Sequence, residues 1–185
     1  MKAGVRALGV AESFREGTST LAGAVVRADR AVDDLAFTTC TVGGLDATSA
    51  VERLWTALDR PDVRYLFLSG IAPAWYNLYD LHRLHDATER PVLSVSFEAS
   101  PGLGDALETE FSGDALDARR AVYDALPDRH PVDVNGETVW VRAVGCSPER
   151  VTDLLRGFTP EGGRPEPLRV ARLAARAGET FRRDL

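Results

Sequence analysis

Lysine is nearly absent from this chain. Of 22 lysines and arginines only Lys2 is lysine; the other 21 cations are arginine. Set against 28 aspartates and glutamates they leave a formal charge of −6, which excludes a surface coated overall in positive potential for nucleic acid. Cysteine is scarce as well. Cys40 and Cys146 are the only two, neither belongs to a CxxC or other ligand-spaced cluster, and no structural zinc site can be assembled from them. Cys40, in a strand-like run with Phe37 and Val42, reads as a buried free thiol. No apolar run approaches the ~20 residues of a membrane span, so no membrane partner is expected. The opening MKAGVRALGVAES lacks the apolar region and cleavage site of a signal peptide, which makes the cytoplasm the default location.

With 44% hydrophobic residues the chain has enough apolar material for one core, and a single domain over 1–185 is expected. Val5–Ala11, Leu21–Arg27 and Leu35–Val42 read as three strands, with Ser13–Ser19 as a polar loop; connections this short make them an antiparallel meander. Ser49-Ala50-Val51-Glu52 fits a capping box, with Asp46 and Thr48 as rival caps, opening a helix to about Asp59. Tyr65–Leu68 is apolar throughout, as a strand covered on both faces is. It ends at Ser69-Gly70, and the Pro73–Asn77 loop leads into a helix over Leu78–Thr88. A fifth strand, Pro91–Phe97, precedes helical pieces at Asp105–Phe111 and Asp114–Leu126. Asn135-Gly136 between VDV and ETVWV marks a hairpin. Ser147-Pro148-Glu149 starts a helix, and Leu168–Phe181 forms the last one. This order implies an α/β, ribonuclease H-like fold: a mixed five-stranded sheet with helices on both faces and a C-terminal helical and hairpin extension. In that fold the first strand runs parallel to the fourth, bringing the ends near Ala11 and Ser69 together.

Five segments carry a family resemblance over nearly the whole chain. They are Lys2, Gly4, Arg6, Leu8 and Gly9; Gly44–Thr48; Gly70, Ile71, Ala74, Tyr76, Asn77 and Asp80; Leu84, His85, Thr88, Pro91 and Val92; and Pro165–Ala171. Together they resemble the archaeal endonuclease dU family, related to endonuclease V. The bias against lysine fits a GC-rich genome or a high-salt cytoplasm, and a halophilic archaeal member is the expectation. The resemblance implies divalent metal held by carboxylates, since paired carboxylates can bridge two ions that activate water and stabilise the leaving oxygen, and hard Mg²⁺ takes such oxygens. It also places an aspartate at the end of the first strand, where Ala11 stands. A second belongs at the end of the fourth, where Ser69 stands, and a histidine or aspartate in the last helix, where Arg172 stands. A basic residue belongs after the fifth strand, where the chain reads Ser96-Phe97-Glu98-Ala99.

The scaffold motifs are kept while the metal positions are changed, so the expected function is a nucleic-acid-binding or accessory protein with a degenerate site and no cofactor. DNA is then the first partner and a protein partner the other. The alternative is an active Mg²⁺- or Mn²⁺-dependent endonuclease on deaminated bases; a protein-interaction scaffold is the third reading. Glu12, Ser69, Asn77 and Asp80 are the candidates for residual chemistry, and Glu12, Asp46 and Asp80 for a rebuilt metal site. Neighbours on a strand point to opposite faces, so Glu12 replaces a carboxylate at Ala11 only through a bulge. Otherwise Glu12 faces solvent, Asp46 caps a helix and Asp80 sits at a helix N-terminus. His82, His85 and Asp86 share a helical face but lack a further ligand, and Gly43-Gly44 reads as a turn. For binding, Trp75 and Tyr76 offer rings for base stacking. Arg169, Arg172 and Arg176 form a basic stripe suited to a phosphate backbone or to a solvated helix face.

Overall fold

The long apolar runs and the short polar breaks between them fold into one mixed sheet. A computed structural model describes residues 1–184. Strands β1 (Arg6–Glu16), β2 (Thr18–Arg27) and β3 (Val32–Thr41) form the expected meander, with both pairings antiparallel. Helix α1 (Ala47–Leu58) crosses to β4 (Val63–Ser69), which runs parallel to β1. A single turn, α2 (Pro73–Tyr76), and helix α3 (Leu81–Thr88) lead to β5 (Val92–Ser96), parallel to β4. After α4 (Gly104–Glu110) and α5 (Asp114–Asp124) come β6 (His130–Val134) and β7 (Glu137–Val144), then α6 (Pro148–Phe158) and α7 (Glu166–Arg183).

Among the described residues the sheet has seven strands in the order β3-β2-β1-β4-β5-β7-β6. The expectation of five strands with the hairpin as an extension is corrected here: β7 pairs antiparallel with β5, Val92 opposite Val144, and carries β6 outward. Val139 and Val141 bury one face of the hairpin in the same core as Leu93 and Val95, so the hairpin has an apolar face that only the sheet can cover. The Ser13–Ser19 loop is also corrected. β1 runs to Glu16, β2 starts at Thr18, and a bulge falls between Phe14 and Glu16; polar side chains suit this protruding end of a hairpin because most of it is exposed.

Alternation along the central strands sorts two cores. Leu8, Val10, Leu66 and Leu68 face α1 and α3, against Val51, Leu54, Leu81 and Leu84. Phe67, Leu93 and Val95 face the other way, against Leu154, Leu155, Phe158 and Leu168. Helix α7 lies across β1 where Gly9 has no side chain; a Cβ there would sit 2.3 Å from the Pro167 carbonyl. Among the described residues no helix is long and apolar enough to cross a membrane.

Two helix starts differ from the sequence expectation. Helix α1 begins at Ala47, so Asp46, one of the rival caps, and not Ser49 stands at its N-cap position. Helix α3 begins at Leu81 rather than Leu78, because the Asp80 carboxylate accepts from the Arg83 N–H (2.9 Å) and fixes the first turn there. The Ser147 cap and Pro148 first turn of α6 are present as read.

Candidate nucleic-acid interface

The parallel register places Val10 beside Leu68, so Ala11, midway along β1, neighbours Ser69, the last residue of β4. Ala11 packs with Ala24, Val26 and Ala171 under α7. Ser69 lines a cavity of ≈ 250 Å³ together with Gly70, Glu98, Arg164 and Arg172. All three positions that the resemblance assigns to metal ligands therefore gather at one end of the sheet, on its α7 side. What gathers there is a methyl group, a hydroxyl and a cation.

That cation has company. Arg164, from the connector before α7, lies half-buried with its guanidinium 3.7 Å from the centre of the Phe97 ring. Its Nη1 is buried and has no hydrogen-bond acceptor among the described residues. Burial, and then the nearby positive charges of Arg172 and Arg176, push its pKa down. Arg172 and Arg176 are exposed. Arg169 on the same helix is different: its guanidinium clasps Glu166 at 2.6 and 2.7 Å. The stripe read from sequence thus divides into one neutralised arginine and two open ones. The segment after β5, which has no basic residue of its own, also receives Arg129, which donates to the Ser96 hydroxyl (3.0 Å) and to the carbonyls of Glu98 and Ser100. Arg129 lies on the Trp140 ring and, with Tyr123 and Arg142, lines a second cavity of ≈ 270 Å³ across the same loop.

The remaining acids do not converge. Glu12 accepts from the Ser19 hydroxyl (2.7 Å). Asp46 stands at the N-cap position of α1 but makes no side-chain cap bond; its carboxylate turns back to the Thr41 N–H and hydroxyl and to the Asn77 amide (2.7 Å). Burial alone would raise its pKa, but the donors from Asn77 and Thr41 prevail and hold it below the usual carboxylate range. Asp80 is spent on the α3 cap. Among the described residues no three His, Cys, Asp or Glu side chains are grouped to hold a metal ion. Mg²⁺ takes an octahedron of oxygens, and Ala11, Ser69 and Arg172 do not supply one. His82 and His85 serve packing: His82 meets the Ala125 carbonyl (3.1 Å) and His85 the Arg90 carbonyl (2.7 Å).

The aromatic loop sits at the same sheet end. Ala74, Trp75 and Tyr76 have φ of 47°, 56° and 59°, a left-handed turn built from residues with side chains. Each such residue costs roughly 1–2 kcal/mol, so the turn persists only because its surroundings fix it. Asn77, fully buried, does part of this: its Oδ1 accepts from Ala47 N–H (2.9 Å), capping α1, while its Nδ2 donates to the Thr41 carbonyl (2.8 Å). It is a clasp, sealed from solvent. Arg119 does the rest. Only 3% exposed, it donates to the carbonyls of Tyr76 (3.1 Å), Gly43 (2.5 Å), Gly44 (3.2 Å) and Ala115 (2.9 Å), and its guanidinium lies 3.8 Å from the centre of the Phe111 ring. Gly43 (φ 69°) lies so close under the indole of Trp75 that a Cβ would come within 2.8 Å of it. The outcome is a Trp75 ring braced on Phe111 and Tyr76 yet 47% exposed.

Sequence reasoning singled out neither Arg119 nor Arg164. Arg119 falls on a helix with polar residues around it, and three of its four carbonyl partners are 43 to 76 residues away. Arg164 falls in a Gly/Pro-rich connector without periodicity. The one available signal was arginine in a segment of no regular pattern.

The chain's kinship agrees with this architecture. A UPF0215 protein of Pyrobaculum aerophilum is 32% identical over 183 residues, covering 96% of this chain and 96% of that one. A crystal structure of a protein of unknown function from Archaeoglobus fulgidus superposes with a TM-score of 0.84 at 24% identity, over 94% of this chain and 97% of the other. Endonuclease V of Ciona intestinalis, solved in complex with a DNA 24-mer containing inosine, shares the fold at a TM-score of 0.62 and 12% identity, over 96% and 86% of the two chains. These likenesses, with the mixed sheet and its parallel β1–β4 pair, make the fold ribonuclease H-like. The profile of the Endonuclease dU family matches residues 3–178, and the chain belongs to that family.

Proposed function

We propose that this chain binds nucleic acid without cleaving it by metal chemistry, as a DNA-binding or accessory member of its family. The observation that carries the reading is the content of the sheet end: Ala11, Ser69 and Arg172 where the resemblance puts metal ligands, with arginines and a single carboxylate, Glu98, lining the cavity. The Trp75 ring, held out by a left-handed turn at that end, supplies a stacking surface typically worth about 1–3 kcal/mol per base. Open arginines supply the salt-dependent phosphate contacts. The DNA complex of a fold relative makes DNA the partner to try first.

Fluorescence anisotropy with labelled single- and double-stranded DNA, at low and high salt, tests it. Combining Arg172→Glu with Trp75→Ala lowers affinity at least tenfold; binding unchanged in that double variant removes the proposal. Deoxyuridine- or deoxyinosine-containing DNA incubated with Mg²⁺ or Mn²⁺ stays intact. Reproducible nicking abolished by Glu12→Gln would instead establish an active metal-dependent endonuclease.

A further inference from the structure

We propose that the cavity bounded by Arg164, Arg172 and Ser69 is a phosphate site, so that the place assigned by resemblance to cation-binding carboxylates has changed sign and takes an anion. This deepens the binding reading above and rests on it only for the source of the phosphate.

Other partly enclosed arginines of this protein are met by acceptors, Arg27 among them through Asp33 although its Nε has none. Arg119 is surrounded by carbonyls, Arg60 grips Asp62 with two bonds of 2.9 Å, and Arg129 reaches two carbonyls and a hydroxyl. Arg164, unlike these three, is half-buried with a sealed Nη1 that no acceptor among the described residues meets, beside the like charges of Arg172 and Arg176, while the rest of its side chain borders the cavity. Partial burial and like charge both disfavour a cation; the Phe97 face offsets part of this, and no ion pair among the described residues completes the offset. A multivalent oxyanion does.

The arginine is also held in place. The side-chain amide of Asn135, at the tip of the β6–β7 hairpin, donates to the carbonyls of Thr159 and Gly162, each at 3.0 Å. This ties down the connector that ends in Arg164, while the Phe97 face fixes its guanidinium plane. A planar guanidinium presented this way matches phosphate oxygens in pairs. The Ser69 side chain lines the same cavity and brings a hydroxyl donor. The volume of ≈ 250 Å³ equals that of roughly eight liquid waters at about 30 Å³ each, ample for a phosphate group with some of its hydration. Glu98 also lines the cavity and opposes an anion, which gives a substitution of opposite sign.

The first probe is inorganic phosphate, followed by thermal shift and by arginine side-chain NMR on the full chain, against chloride at matched ionic strength. Phosphate raises the wild-type melting temperature and shifts the Arg164 Nε–H resonance. Arg172→Met, at an exposed position, weakens phosphate binding at least tenfold; Arg164→Lys, which keeps the charge but loses the planar fork, weakens it severalfold; Glu98→Gln tightens it. Arg64→Met, on exposed β4 surface at the opposite end, leaves it unchanged. No phosphate-specific shift, or a shift untouched by Arg172→Met, overturns the proposal. The second probe is a pair of oligonucleotides differing only in a 5′-phosphate. Tighter binding of the phosphorylated strand assigns the phosphate to a nucleic-acid end; equal binding, with the inorganic phosphate response intact, assigns it to free phosphate. If neither oligonucleotide binds while inorganic phosphate does, the nucleic-acid reading falls and the anion site stands.

Discussion

Two groups of three arginines sit at opposite ends of the central strands, and they are treated in opposite ways. At the start of β1 and β4, Arg6, Arg27 and Arg60 interleave with Asp33, Asp34 and Asp62: Arg6–Asp33 at 2.6 Å, Arg27–Asp33 at 3.0 Å, Arg60–Asp62 at 2.9 Å and Arg60–Asp34 at 3.4 Å. At the far end, Arg164, Arg172 and Arg176 gather with no carboxylate partner among the described residues. The first group closes the sheet where strands begin and its charges cancel locally. The second holds uncancelled charge where open α/β sheets place their ligands, outside the carboxyl ends of parallel strands. The same residue type is thus tied into ion pairs at one end and left without them at the other, where we propose that it binds, and the global charge of −6 conceals that local excess.

The largest effect belongs to an arginine of neither group. Arg119→Met strips four carbonyls of their donor and removes the cation from Phe111, and we expect a loss of about 3 kcal/mol in urea unfolding, in keeping with orphaned buried polar groups. Trp75 then leaves its perch, and DNA affinity falls with stability.

Next comes a crossed test of the two ends. Asp33→Asn, at the centre of the paired group, lowers the unfolding midpoint and leaves phosphate and DNA affinity unchanged in the folded protein. Arg172→Glu does the reverse, weakening binding and shallowing its salt dependence by about one counterion for each phosphate no longer neutralised, with the midpoint held or raised. Should both variants move both quantities, the division of labour is wrong.

The pH dependence sharpens the same contrast. The hydrogen bond from Arg6 is the main cause holding Asp33 below the usual carboxylate range, and that from Arg60 does the same for Asp62. Glu166 is held down chiefly by Arg169. Carboxyls depressed in the folded state bind protons more readily once unfolded. Their stabilisation is therefore complete above the ordinary carboxylate range, about pH 4, and is lost as pH falls through that range and below it. Melting temperatures should stay level from pH 7 to about pH 5 and drop below pH 4, with high salt flattening the change because these pairs are partly exposed.

The smallest expected effect concerns thiols. Burial, reinforced by Asp46 and Glu12, pushes Cys40 up to about 12, so iodoacetamide at neutral pH leaves it unmodified until the protein unfolds. Cys146, less buried, reacts first. Prompt labelling of Cys40 in the native protein would mean that the Glu12–Asp46 region opens readily.

The sequence made local features legible and left long-range choices hidden. Tyr65–Leu68 announced a doubly covered strand because every side chain was apolar. Asn135-Gly136, with both residues at positive φ (52° and 82°), announced its hairpin because few other pairs take that turn. Nothing in VDV or ETVWV stated that β7 would dock on β5, because an alternating strand fits any free edge until tertiary packing selects one. The site followed the same rule. The departures that the resemblance implies at Ala11, Ser69 and Arg172 could be read one position at a time, whereas Arg119 and Arg164 owe their surroundings to partners that only folding brings near. Arg169 and Arg172 looked alike in the stripe, and Glu166 separates them through a bond the periodicity did not weigh.

The left-handed turn at Ala74–Tyr76 has a bearing on association that goes beyond its shape. Glycine at these positions would adopt the same backbone angles with less strain, but it would also let the segment wander. Side-chain-bearing residues leave few neighbouring conformations to visit, so the indole of Trp75 points one way before any partner arrives. The entropy of fixing that ring has been spent during folding, and the base that we propose it stacks on would meet a surface already at rest.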